Sequence, residues 1–126
     1  ISLIAPAIAM GNRVVLIPSQ RYAGVALELV QTLETSDIPP GVINIVTGNK
    51  GELADQLAGH AEVDGIWCWS DDVTVAKVET TSAADLKRLW VHQEGDRDWL
   101  DPQQGEGLEF LRNATEVKNI WTPYGD

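Results

Sequence analysis

Residues 63–72, VDGIWCWSDD, bring together several side chains able to do chemistry. An apolar run holds Cys68 between Trp67 and Trp69, then stops at Ser70, Asp71 and Asp72. A thiolate there could be a nucleophile, yet a cysteine between two tryptophans in a strand reads as a buried hydrophobe. Adjacent carboxylates could hold a divalent cation. At a strand-to-helix turn they read instead as a cap for the helix that follows. That turn is also where an α/β protein usually binds phosphate, and Asp71 would repel one. His60 and His92 lack metal-ligand spacing and read as surface or loop-end residues. Asp96, Asp98 and Asp101 lack the bidentate glutamate and the glycine of a calcium loop. Gly48 and Gly51 form a turn and no dinucleotide fingerprint. The expectation is no catalytic residue and no metal site.

The elements that would position these residues alternate. Residues 3–10 read as a helix stopped near Gly11-Asn12, and RVVLI (13–17) is a β-branched run of strand length. Residues 22–34 place Val25, Leu29, Val30 and Leu33 at helical spacing. VINIV (42–46) is a second strand, GELADQLAGH (51–60) a helix with Leu53 and Leu57 on one face, and 64–69 a third strand. Residues 73–83 read as a helix of low propensity, rich in Val and Thr, and 86–92 as a fourth strand. Strand-helix alternation predicts βαβ units with parallel strands and right-handed crossovers. The fold expected is α/β, a Rossmann-like open parallel sheet flanked by helices, with a C-terminal extension. Residues 1–92 form the cofactor-type domain, 93–107 an acidic surface loop, and 108–126 a helix followed by an interface strand at 117–121.

Composition narrows the function classes. The 126 residues suffice for one domain with a real core. A net charge of −10 argues against nucleic acid and anionic membranes as partners. One cysteine excludes an internal disulfide and predicts a reducing, cytoplasmic setting. The apolar opening, ISLIAPAIAM, is too short to span a bilayer and lacks the basic start of a signal peptide. It begins mid-segment with Ile1, as a piece of a longer chain would.

Three blocks then resemble one family. PAIAMGNRVVLIPSQ (6–20), IPPGVINIVTG (38–48) and HAEVDGIWCWSDD (60–72) are similar, in order and spacing, to segments of the aldehyde dehydrogenases. LKRLWV and the tail EFLRNATEVKNIWTPYGD resemble the end of the long members that carry a second, catalytically empty domain. The resemblance implies a parent that oxidises aldehydes to acids with NAD or NADP, using a cysteine carried elsewhere. For this chain it implies a non-catalytic domain for assembly or interdomain packing; the alternative is a working NAD(P)-binding domain serving an active enzyme.

The departures support the first of these. The family's ribose-binding lysine corresponds to Ile17 and the following glutamate to Gln20. Its pyrophosphate Gly-Ser corresponds to Ser70-Asp71, and its Glu-Leu-Gly-Gly to His92-Gln93-Glu94-Gly95. A degenerate cofactor groove is left at Pro18, Ser19, Gly48 and Ser70, with no cofactor expected to bind. The expected partners are the rest of the parent or an identical chain in a homo-oligomer, met through Trp121 and Tyr124 in the tail; Trp99 is a further interface candidate.

Overall fold

The computed structural model describes residues 1–123. Helix α1 (Ile4–Ala9) ends where Gly11 takes φ +85°, a left-handed turn that glycine adopts without a Cβ penalty. The chain then enters β1 (Val14–Leu16), a 3₁₀ turn (Gln20–Tyr22), α2 (Ala23–Glu34) and β2 (Ile43–Ile45). Next come α3 (Lys50–Ala58), β3 (Gly65–Ser70), α4 (Asp72–Ser82) and β4 (Arg88–Gln93). Two short helices close the described chain, α5 (Pro102–Gly105) and α6 (Leu108–Asn113).

Within each hydrogen-bonded pair the strands run parallel, as the alternation predicts. They hydrogen-bond as two pairs, β1 with β2 and β3 with β4, and not as one continuous ladder. Val14 lies opposite Ile43 in the first pair, and Gly65 opposite Arg88 in the second. The second pair is the organising layer. Along β3 and β4, successive side chains take opposite faces. Ile66, Leu89 and Val91 pack against Ala54, Ala58 and Val78 in the core, and Cys68, also buried, shares their face of the sheet. Trp67, Trp69, Trp90 and His92 take the other face.

A doubly wound sheet usually carries helices on both faces. Here the loop after β4 and helix α6 cover the aromatic face instead, through Trp99 and Phe110. The stretch 93–107 is therefore more than a surface loop. It contains α5, started by Asp101 as N-cap with Pro102 behind it, and it buries Gly105. Trp99 takes part in this intramolecular packing and remains 38% exposed. The strand expected at 117–121 is not formed: residues 114–123 run as irregular chain, and a strand needs a neighbouring edge for its N–H and C=O groups. Among the described residues, no helix is long and apolar enough to cross a membrane.

Two ties could not be foreseen from spacing. Asn12 donates from Nδ2 to Ala7 O at 3.0 Å and to Ala114 O at 2.8 Å, fastening the start of the chain to the end of α6. Between α1 and the α5–α6 segment lies a largely apolar cavity of about 700 Å³, lined by Ile1, Ala5, Trp99, Leu100, Phe110 and Leu111 among others.

Candidate functional site

Ligands of parallel sheets sit beyond the C-terminal ends of the strands. Pro18 and Ser19 follow β1 there, Gly48 follows β2, and Ser70 closes β3. Pro18 and Ser19 share an end with Gly48 because Leu16 lies opposite Ile45 in a parallel register. Ser19 and Gly48 are exposed, whereas Ser70 is buried. Lys50, in the first turn of α3, bridges to the β3 end by donating its ammonium to Trp69 O at 2.6 Å. A Cβ placed on Gly51 would stand 3.5 Å from both Asn49 Oδ1 and Thr74 Oγ1, so the N-termini of α3 and α4 lie side by side.

Each N-terminus carries a side-chain cap. Asn49 accepts the Glu52 N–H at 3.2 Å on α3. On α4, Asp71 Oδ1 accepts the Thr74 N–H at 3.0 Å, and Oδ2 accepts the hydroxyls of Thr74 at 2.9 Å and Ser70 at 3.2 Å. The Thr74 N–H, then its hydroxyl, hold the Asp71 carboxyl below its ordinary range, with the Ser70 hydroxyl adding to them. An anion fixed at this helix end supplies the charge that a bound phosphate would supply elsewhere.

Three side chains differ from what a dinucleotide would use. Ile17 offers no donor to a ribose hydroxyl, a partner worth roughly 1.5–3 kcal/mol when charged. Asp71 presents a carboxylate where a pyrophosphate would approach, and the Lys50 ammonium is spent on Trp69 O.

The other reactive candidates separate from this site or from reactivity. Cys68 is buried, and burial pushes its thiol up, the Lys50 charge opposing it only in part. His60 Nδ1 accepts the Glu62 N–H at 3.1 Å in an exposed turn. His92 stacks on Trp69 with ring centroids 5.3 Å apart, its Nδ1 3.9 Å from Asp96 Oδ2. Among the described residues no group of three His, Cys, Asp or Glu side chains could hold a metal ion.

What sequence reasoning missed is Arg97. Its guanidinium lies 5.2 to 5.8 Å from the rings of Phe110, Trp90, Trp99 and Trp69, while Nη1 donates to Gln104 O at 2.6 Å and Nη2 to Glu109 Oε2 at 3.0 Å. The period-two placement of tryptophans on β3 was the signal available for the ring cluster; nothing in an acidic loop announces its clamp. In the tail, Trp121 is 90% exposed beside Val117 and Ile120 at 86% and 85%. Tyr124 lies outside the described residues.

Comparison with known proteins agrees with this layout. The model of the "Aldehyde dehydrogenase family" matches residues 1–100. The 2-aminomuconic semialdehyde dehydrogenase of Bos taurus is 37% identical over 86 residues, covering 68% of this chain and 18% of that protein. The chloroplastic betaine aldehyde dehydrogenase of Amaranthus hypochondriacus is 37% identical over 119 residues, covering 94% and 24%. Among solved structures, a mutant of aldehyde dehydrogenase C from Pseudomonas syringae, with NAD+ and octanal, has a TM-score of 0.71 at 33% identity. That match covers 76% of this chain and 20% of the other. The 126 residues thus span about a fifth of the length of these relatives.

Proposed function

This chain belongs to the aldehyde dehydrogenase family, and we propose that it is a non-catalytic, cofactor-fold domain of a longer family protein, serving assembly or interdomain packing. The observation that carries the reading is Asp71. Its carboxylate caps α4 from within, in the turn where a cofactor domain would receive pyrophosphate. Ile17 and the engaged Lys50 point the same way. The parent oxidises aldehydes to acids with NAD or NADP in the cytoplasm, and its catalytic cysteine lies outside these residues. Partners are the rest of that polypeptide or a second copy, met through the exposed tail around Trp121.

A second reading has one observation in its favour. Pro18, Ser19 and Gly48 gather at one end of the β1–β2 pair, and Ser19 and Gly48 stay exposed there, as a cofactor groove would require. Calorimetric titration of the purified chain with NAD and with NADP decides between the two. The domain reading expects no binding heat for either nucleotide up to millimolar concentration. Saturable binding of one of them would establish the second reading and remove the first.

A further inference from the structure

Asp64 and Gly65 form the one Asp-Gly step in the 126 residues. They lie where irregular chain enters β3, and both are exposed. Other carboxyls of this layer are pinned: Asp71 by Thr74, and Asp55 by Thr81 and Lys77. Among the described residues no such bond holds the Asp64 carboxyl; Lys87 gives its ammonium to His60 O at 2.7 Å and to Asp85 Oδ2 at 3.0 Å. The Asp64 main chain is tied to β4 through its O, which accepts the Arg88 N–H at 3.1 Å. Alternate residues of a strand address its parallel neighbour, so the Gly65 N–H turns away from β4.

A carboxyl that can rotate, followed by a main-chain nitrogen outside the ladder, can close a ring. Gly65 has no Cβ to shield that nitrogen. Arg88 lies against it: a Cβ on Gly65 would stand 3.7 Å from Arg88 Cβ and 3.9 Å from Arg88 Nη2. A guanidinium so placed favours the nitrogen that has lost its proton. Water has access through a small polar recess of about 170 Å³, lined by Asp64, Asp85, Lys87, Arg88 and Glu116 among others.

We propose that Asp64-Gly65 is a site of spontaneous isoaspartate formation in the folded chain, one that loosens the entry to the β3–β4 ladder and presents a free α-carboxylate to a carboxyl methyltransferase. The Gly65 nitrogen gives its proton to solvent and attacks Cγ of Asp64. The Cγ–OH bond of the protonated carboxyl breaks, water leaves, and a five-membered succinimide closes. Water then adds at the α-carbonyl, and the bond from that carbonyl to the Gly65 nitrogen breaks. The chain now runs through Cγ, one carbon longer, with its mass unchanged. The former Asp64 O has become part of a carboxylate, no longer fixed in line with the Arg88 N–H.

The test holds the purified chain in warm neutral buffer, folded and, in parallel, unfolded in urea. Samples taken over time are labelled with isoaspartyl carboxyl methyltransferase and S-adenosylmethionine, and the tryptic peptides are mapped by mass spectrometry. In the folded chain, label is expected only in the fragment 51–77, on Asp64. It should accumulate within about tenfold of the unfolded rate, as at a site whose local opening costs little. Asp64→Glu, a change at an exposed position, should leave that fragment unlabelled, because glutamate would have to close a six-membered ring. The isomerised fraction gives its own amide NMR signals, and its Arg88 amide should exchange about tenfold faster or more. The Glu94 amide, bonded to Ser70 O at 2.9 Å beyond the other end of the ladder, should stay protected. The proposal falls if the folded chain gains label more slowly than that, if the label sits on another residue or persists in Asp64→Glu, or if the Arg88 amide is unaffected.

Discussion

Thr74 is bound twice by Asp71, its N–H by Oδ1 at 3.0 Å and its hydroxyl by Oδ2 at 2.9 Å. The pair closes the first turn of α4 with groups that come from the chain itself. Orphan N–H groups at a helix start must find an acceptor, and a negative charge there is favoured by the helix dipole. In a cofactor domain a phosphate can fill both needs. Here both are filled before any ligand arrives, which is why a departure of one residue type changes the expected function of the whole turn.

Acid should reveal that carboxylate. Asp71 is held below its ordinary range, first by the Thr74 N–H and then by the Thr74 hydroxyl. Asp55 is likewise lowered, first by Lys77 and then by Thr81. A carboxyl lowered in the folded state stabilises it fully above the unfolded value of about 4, and the benefit disappears as pH falls through the folded value. The urea midpoint is expected to stay level from neutral pH to about 5 and to drop below about 4. Asp71→Asn keeps an acceptor at the cap but cannot titrate, so its acid limb should be shallower. An unchanged slope in this variant would show that other groups govern acid unfolding.

Cys68 should be slow to label. It is 7% exposed in β3, and burial raises its thiol above the usual range. Only the thiolate attacks a disulfide reagent, and reaching it requires local opening of the strand. At mildly alkaline pH, labelling should run orders of magnitude faster once urea passes the unfolding midpoint. Prompt labelling of the native chain would place the thiol at an accessible edge.

Two glycines make opposite predictions. A Cβ on Gly105 would meet the Trp99 carbonyl oxygen at 2.7 Å, a backbone atom that cannot swing aside. Gly105→Ala is expected to cost about 1–3 kcal/mol and to alter tryptophan fluorescence as Trp99 shifts. Gly24, in α2, has nothing within 4 Å of such a Cβ. Gly24→Ala should stabilise by about 0.5–1 kcal/mol through helix propensity. Equal effects from the two, measured by urea unfolding, would contradict the geometry around Trp99.

Much of this fold is legible in local patterns. The β-branched runs at 13–17 and 42–46, bounded by proline and glycine, yield strands within a residue or two of expectation. The alternation in GIWCWS separates the helix-facing from the aromatic face. Helix α3 shows where such reading stops. Its leucines suggested the core face, but Ala54 and Ala58 are the buried residues. There α3 meets Val78 of α4, and a Cβ on Gly59 would stand in ordinary contact, 3.4 Å from Thr81 Cγ2. Asp101-Pro102 is a recognisable N-cap and first-turn pair, so α5 could have been found inside the acidic loop. The Asn12–Ala114 tie could not, because its two ends are 102 residues apart and no spacing rule joins them.

The aromatic face offers the sharpest stability test, because it replaces a helical layer with a single clamp. Phe110 is 1% exposed, and its ring lies 5.3 Å from Trp90. Phe110→Ala should cost about 3–5 kcal/mol, the range for losing a buried aromatic ring. Arg97 covers the same cluster from outside, with a side chain only 13% exposed. A guanidinium can lie against several rings and still donate from both ends, here to Gln104 O and to Glu109. An ammonium is a compact point charge that cannot do both. Arg97→Ala is therefore expected to cost about 2 kcal/mol, and Arg97→Lys to recover less than half of that. Glu109→Gln should cost no more than about 0.5 kcal/mol, since that carboxylate is 53% exposed and its ion pair is screened. Urea unfolding of the four variants orders these effects. If lysine restored full stability, positive charge alone would hold the loop, and the planar contact of Arg97 with the rings would contribute nothing.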